Sequence, residues 1–222
     1  MSAGRGGRAS PDIPLSVVLA EGLQQMGLHL PDETQARMLA YIALLAKWNR
    51  AYNLTAVRDP MQMVTRHLLD SLAVLPYIKG SRVLDVGTGA GLPGIPLALA
   101  LPEWRFVLLD SNRKKTRFLI QVVAELGLKN VTVETCRVEE YHPAQLFDTV
   151  ISRAFAELSE MLGAAGRLCR PAGVMLAMKG EYPVAELAAM SPGFKVTEVH
   201  ALHVPGLDAA RHLVCVTTAK WS

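Results

Sequence analysis

The segment Arg82-Val83-Leu84-Asp85-Val86-Gly87-Thr88-Gly89-Ala90-Gly91-Leu92-Pro93-Gly94-Ile95-Pro96 constrains this chain more than any other. Val83, Leu84 and Val86 make a short apolar run of strand length, and three alternating glycines break it. Glycines there allow a tight backbone turn and let a ligand lie against bare main chain. Pro93 to Leu101 then reads as a helix, with prolines only in its first turn, where a missing N–H costs little. Strand, glycine turn and helix make a cradle whose helix N–H groups point at a nucleotide-type ligand.

Gly89, Gly91 and Gly94 fit G-x-G-x-x-G, the dinucleotide pattern, but that match alone is weak. Asp85-x-Gly87-x-Gly89-x-Gly91 is the tighter reading and resembles the first motif of class I S-adenosylmethionine (SAM) methyltransferases. A carboxylate at the strand end suits a cofactor bearing an ammonium group and repels a pyrophosphate. A turn without a ligand rarely needs this many glycines. SAM is therefore expected over NAD, with Asp85, Gly87, Gly89 and Gly91 beside it.

At 222 residues the chain has room for one domain with an extension. No uninterrupted apolar run reaches membrane-spanning length, and no signal peptide is evident. The net charge of +3 permits a nucleic-acid partner without requiring one, so the placement of the cations decides. Cys136, Cys169 and Cys215 are widely spaced and odd in number, which suggests reduced thiols in a cytoplasmic protein, with neither a disulfide frame nor a zinc site. His142 has no partner at ligand spacing, so no metal is expected.

Residues 1–13 read as a disordered basic tail carrying Arg5 and Arg8, residues 14–80 as a helical extension, and residues 81–222 as the cofactor-binding domain. Helices are expected over Leu15 to Met26, Asp32 to Asn49, and from Asp59-Pro60 to about Leu75. Trp48 is expected to pack against the main domain. Tyr52, Asn53, Arg66, His67, Asp70 and Ser71 gather just before the cradle. They are either polar groups on a helix face or the roof of a methyl-transfer pocket.

Strands and helices alternate after the cradle, the sign of a parallel sheet covered on both faces. Strands are expected over Phe106 to Asp110, Val131 to Thr135, Phe147 to Ser152 and Gly173 to Met178, and helices over Asn112 to Leu126, Glu157 to Cys169 and Pro183 to Met190. Phe194 to His203 and Arg211 to Thr218 follow as two strands with no helix between them, an antiparallel ending foreign to dehydrogenases. Asp110 stands about twenty residues past the glycines, where nucleotide folds bind ribose hydroxyls; capping the next helix is its other role. Arg113, Lys114, Lys115 and Arg117 crowd a helix start that disfavours cations, so a phosphate-backbone contact is favoured over a solvated face. Lys179, Arg211 and His212 lie near strand ends and are further RNA candidates. Arg153 follows the fourth strand, where its fork suits the SAM carboxylate, a phosphate or a structural salt bridge. Ser152-Arg153-Ala154-Phe155 replaces the Asn/Asp-Pro-Pro-aromatic turn of many amine methyltransferases, so an exocyclic amine loses ground as target.

Taken together, Lys47-Trp48-Asn49, Tyr52-Asn53-Leu54-Thr55, Arg66-His67-Leu68-Leu69-Asp70-Ser71, Asp85 to Pro96, Leu109-Asp110-Ser111, Arg137-Val138-Glu139-Glu140, Ser152-Arg153-Ala154-Phe155 and Arg211-His212-Leu213-Val214 resemble one family, from about Pro14 to Thr218. It is the bacterial 16S rRNA guanine-N7 methyltransferases, also called glucose-inhibited division protein B. The resemblance implies a class I α/β fold with a seven-stranded, mostly parallel sheet. It implies SAM contacts at Gly87, Leu92, Val138, Glu139 and Arg153 and a 16S rRNA or small-subunit partner; a monomer is expected, although nothing in the sequence fixes the oligomeric state. Guanine N7 holds a lone pair and no hydrogen, so transfer needs positioning and no general base or metal, with Asn53, His67, Asp70 and Arg153 as positioning candidates. A NAD oxidoreductase would need a catalytic Tyr-Lys or His-based set that is not apparent, and a non-catalytic RNA-binding module would not need intact glycines.

Overall fold

The computed structural model describes residues 13–155, 157–190 and 192–218. All but the last residue of the basic tail 1–13 thus lie outside the described residues. Two helices come first, α1 (Leu15–Gln25) and α2 (Asp32–Tyr52). The second runs three residues past the expected Asn49 and ends where Asn53 turns left-handed at φ 51°. Asp59 caps the next helix by accepting a hydrogen bond from the Met61 amide at 3.0 Å, with Pro60 in the first turn. That helix is not uniform. It opens as α3 (Pro60–Met63), widens into a π-helical stretch (Val64–Leu69), and resumes as α4 (Asp70–Leu72), so the single expected α-helix is corrected to three pieces.

The sheet starts at β1 (Arg82–Val86), followed by α5 (Gly94–Ala100), β2 (Arg105–Leu109), α6 (Arg113–Glu125), β3 (Val131–Glu134) and β4 (Phe147–Ser152). It continues through α7 (Leu158–Ala165), β5 (Cys169–Lys179), α8 (Val184–Ala188), β6 (Phe194–Ala201) and β7 (His212–Thr218). The seven strands stand in the order β3-β2-β1-β4-β5-β7-β6. β1 to β5 pair in parallel, while β7 inserts antiparallel between β5 and β6. Each crossover between the parallel strands returns the chain so that the carboxyl ends of β1, β2, β4 and β5 share one edge.

Helix α7 gives way after Ala165 to a 3₁₀ turn over Gly166–Leu168, and the strand expected from Gly173 begins at Cys169. Pro171 keeps the helical segment from going further, since its ring disfavours a helical conformation at Arg170. The extra residues bulge against β4, where the pairing jumps from Phe147↔Cys169 to Thr149↔Val174. Asp148 fills the bulge, pairing with Arg170 at 2.8 Å and accepting the Ser81 and Arg82 amides at 2.7 and 2.9 Å.

Alternation along β1 divides the core. Val83 faces the side covered by α1, α2, α5 and α6, while Leu84 and Val86 face the side covered by α7. Met38, Tyr41, Ile42 and Leu45 of α2 are fully buried in the first of these layers with Ile95, Leu108 and Phe118, so the hydrophobic core crosses residue 80 without interruption. Trp48 joins it, with its ring 5.6 Å from that of Phe118, as the sequence led us to expect. All three cysteines are free; Cys169 and Cys215 are buried in the core, and burial pushes both thiols up to about 11. Among the described residues, no helix is long and apolar enough to cross a membrane.

Candidate active site

Two cavities open at the carboxyl edge of the parallel strands, and one turn serves both. The first, of about 310 Å³, is walled by the ends of β1 (Val86, Gly87) and β2 (Leu109, Asp110), the segment after β3 (Cys136 to Glu139), and Ala154 and Phe155 after β4. The second, of about 390 Å³, is walled by Arg153 after β4, Met178 to Gly180 at the end of β5, Arg211 before β7, and Val57, Arg66, His67 and Asp70 from the helical region. Arg153 and Ala154 are consecutive, so the turn ending β4 is shared between them. Ser152 fixes that turn: its hydroxyl donates to Val86 O at 2.7 Å and accepts the Ala154 amide at 3.1 Å.

The glycine turn is built by its own hydrogen bonds. Gly87 N and Thr88 N donate to Leu109 O at 2.8 and 3.1 Å, and Gly89 N donates to Asp110 Oδ2 at 2.8 Å. Gly87 sits at φ +66°, and a Cβ there would stand 2.6 Å from Ala154 Cβ, so only glycine leaves this edge of the first cavity open. Asp85 lies beneath the turn with no exposed surface; its Oδ2 accepts Thr88 Oγ1 at 2.6 Å and Gly94 N at 2.8 Å, and its Oδ1 is buried without a partner. Burial pushes this carboxyl up to about 6. Asp85 thus braces the turn from inside and stands behind the cavity wall, not at the cofactor-facing position expected for it. Leu92 is buried in the core beneath the same turn.

Among the remaining cofactor candidates, Asp110, Val138 and Glu139 line the first cavity, while Gly89 and Gly91 shape the turn. Asp110 is not the helix cap; Asn112 is, accepting the Lys114 and Lys115 amides, and Asp110 joins the turn to α6 by accepting Gly89 N and Asn112 N. Cys136 is half-buried, packs against the core layer beneath α7 and also lines the first cavity. Lys115 separates from the other cations of α6 and also lines the first cavity, whereas Arg113, Lys114 and Arg117 are exposed along the helix.

In the second cavity Asp70 is buried and holds two guanidinium groups, Arg153 through Nη1 at 3.1 Å and Arg211 through Nε at 2.7 Å. The salt bridge considered for Arg153 is therefore present, and its partner is the first residue of α4, directly after the π-helical stretch. His67 Nε2 meets Thr55 Oγ1 at 3.0 Å, and burial pushes the imidazole down to about 4. Lys179 pairs with Glu186 at 2.6 Å. His212 lies beside this cavity, with Nδ1 at 2.9 Å from Gly180 O. Asn53, exposed at the end of α2, belongs to neither wall among the described residues. The residue that orders its loop is Asn49, which donates to Val57 O at 3.1 Å and accepts Thr55 N at 2.9 Å.

Two more supports escaped the sequence reading. Tyr41 Oη donates to Ala90 O at 2.8 Å and ties α2 to the glycine turn. Arg167 donates from Nη2 to Val138 O, Glu139 O and Tyr141 O at 2.7, 3.0 and 2.8 Å, fixing one wall of the first cavity. The only signal for Tyr41 is a tyrosine on an otherwise aliphatic helix stripe, and nothing in the sequence marks Arg167.

A parallel sheet closed by an inserted antiparallel strand, with a glycine turn after β1 and a carboxylate ending β2, is the fold of the SAM-dependent methyltransferases. Solved structures agree on the fold. A SAM-dependent methyltransferase from Aquifex aeolicus superposes with a TM-score of 0.56 over 78% of this chain and 98% of that chain, at 20% identity. One from Geobacter sulfurreducens, in complex with S-adenosyl-L-homocysteine, gives 0.54 over 80% and 98%, at 13% identity. In sequence, a family model described as rRNA small subunit methyltransferase G, GidB, matches residues 34–214. The ribosomal RNA small subunit methyltransferase G of Marinobacter nauticus is 54% identical over 91% of this chain and 94% of its own, and that of Nitrosococcus oceani 52% identical over 89% and 92%. The chain belongs to the rRNA small subunit methyltransferase G family.

Proposed function

We propose that the protein methylates N7 of one guanine in 16S rRNA, with SAM held in the first cavity and the guanine in the second. The first cavity fits SAM by its chemistry: an open edge that any Cβ would close at Gly87, a carboxylate at Asp110 for ribose hydroxyls, and apolar surface at Leu109 and Val138 beside Glu139 for a purine. Arg153, at the junction, suits the carboxylate of the same cofactor. When bound, SAM supplies an electrophilic methyl group on a sulfonium centre.

The observation that carries the N7 assignment is the absence of a competent base among the described residues of the second cavity. His67 is neutral and remains so down to about pH 4, which makes it a poor proton acceptor at neutral pH. Asp70 has both oxygens occupied by guanidinium groups. Such a site suits a nucleophile that carries no proton, and guanine N7 is one. The residues then have three tasks: to hold the base in line, to exclude water, and to hold the RNA strand through its charge. N7 lies in the deep, narrow major groove of A-form RNA, so the base must come from a loop or a single strand.

The test is transfer of labelled methyl from SAM to 16S rRNA, naked and in unmodified small subunits, followed by borohydride and aniline treatment. Strand cleavage at a single guanine is expected. Incorporation without cleavage would remove the N7 assignment and keep the methyltransferase.

A further inference from the structure

Around Asp70 the structure assembles a charge arrangement that an uncharged base does not require. Three guanidinium groups, Arg66, Arg153 and Arg211, face one carboxylate, an excess of two positive charges; Lys179 in the same wall is matched by Glu186. Arg153 gives Asp70 only Nη1, and Arg211 gives only Nε while its Nη1 reaches Ala210 O. Each fork therefore keeps further N–H groups, and both side chains retain about a quarter to a third of their surface in solvent (31% and 26%). Arg66 is exposed at the rim. Such a set recognises an oxyanion, and two oxyanions are at hand in the proposed reaction, the cofactor carboxylate and an RNA phosphodiester.

Resting on the function proposed above, the geometry points to a division of labour: Asp70 is a positioning residue that holds Arg211 as a clamp for an RNA phosphodiester next to the target guanine, while Arg153, one residue from the wall of the first cavity, serves the cofactor. The chain arrangement favours that division. Arg153 leaves β4 beside Ala154 of the first cavity, whereas Arg211 enters from β7, on the far side of β5 from β4. Asp70 Oδ1 and Oδ2 each take one fork, so each guanidinium has its own anchor and its own outward N–H groups.

The test measures 16S rRNA affinity as a function of salt, SAM affinity by calorimetry, and methyl transfer, for wild type, Arg211→Gln, Arg153→Gln and Asp70→Asn. For Arg211→Gln, RNA affinity is expected to fall about tenfold. The slope of log affinity against log salt should lessen by about 0.7, one phosphate contact with single-stranded RNA. KM for RNA should rise and SAM affinity should be unchanged. Arg153→Gln should do the reverse, and Asp70→Asn should lower both affinities. Arg211 is partly exposed, so its variant keeps the question open to measurement if Asp70→Asn fails to fold. An unchanged salt slope in Arg211→Gln, with wild type methylating 16S rRNA normally, overturns the clamp alone. Loss of SAM affinity in Arg211→Gln assigns both forks to the cofactor and also overturns it. Wild-type protein that binds no RNA overturns the clamp and the proposed function together.

Discussion

Asp85 keeps both of its hydrogen bonds on Oδ2 and none on the buried Oδ1, and burial raises its carboxyl from 3.8 in the unfolded chain to about 6. The folded state then binds a proton more readily than the unfolded one between those values, so this group lowers stability progressively as pH rises from about 4 to about 6. His67 acts oppositely: lowered from 6.5 to about 4, it makes stability fall as pH drops through that range. Asp85→Asn can place its carbonyl oxygen at the Oδ2 position, keeping both acceptor bonds. We expect its unfolding free energy, measured by urea titration, to gain on wild type as pH rises from 4 to 6 and to hold that gain above 6. Comparison of the two proteins cancels His67. His67 also bears on rate: with the imidazole already neutral, the base-free transfer proposed above requires single-turnover methyl transfer to be flat between about pH 7 and 8.5. An ascending limb there would implicate a base.

At the scale of elements, a buried hydrogen bond adds to the shared apolar packing between α2 and the glycine turn. Tyr41→Phe removes the hydroxyl that satisfies Ala90 O inside the core. The expected cost is about 1 to 3 kcal/mol of stability, with weaker SAM binding than the stability loss alone explains, because the turn loses its brace. Strand–glycine–helix order, the parallel alternation and the antiparallel close were legible in the sequence, because each has a periodicity or a breaker behind it. The π-helical stretch was not. Val64, Leu68 and Leu72 recur every four residues, which an ordinary α-helix satisfies as well, so spacing cannot announce the wider turn at Val64–Leu69. The end at Cys169 of the helical segment that opens with α7 was legible, since Pro171 lies two residues on; its closing 3₁₀ turn at Gly166–Leu168 has no such marker. Asp70 was legible as a polar residue near the cradle, but its partner Arg211 lies 141 residues away, beyond the reach of any local pattern.

For the molecule as a whole, one hydrophobic layer joins α1 and α2 to the sheet and to α6. The helical region is therefore expected to unfold with the rest. Fluorescence of Trp48, packed against Phe118, read with Trp104 and Trp221 replaced by Phe, and far-UV circular dichroism should give coincident denaturant midpoints; an earlier midpoint by fluorescence would make residues 14–80 a separate cooperative unit. The cavities follow from the same continuity: the wall of the second takes residues from the π-helical stretch, β4, β5 and the entry to β7, so no smaller part of the chain contains it.

The place of β7 has a temporal consequence. A chain growing from its amino end makes β6 before β7, yet among the described residues β6 pairs only with β7, and Arg211 arrives only with β7. Until then β5 has an open edge and Asp70 lacks its second counter-ion. A nascent or truncated copy can possess the whole glycine cradle and still lack the group proposed to grip RNA. If Arg211 holds RNA as proposed, that contact becomes available only once the last strand of the sheet has joined.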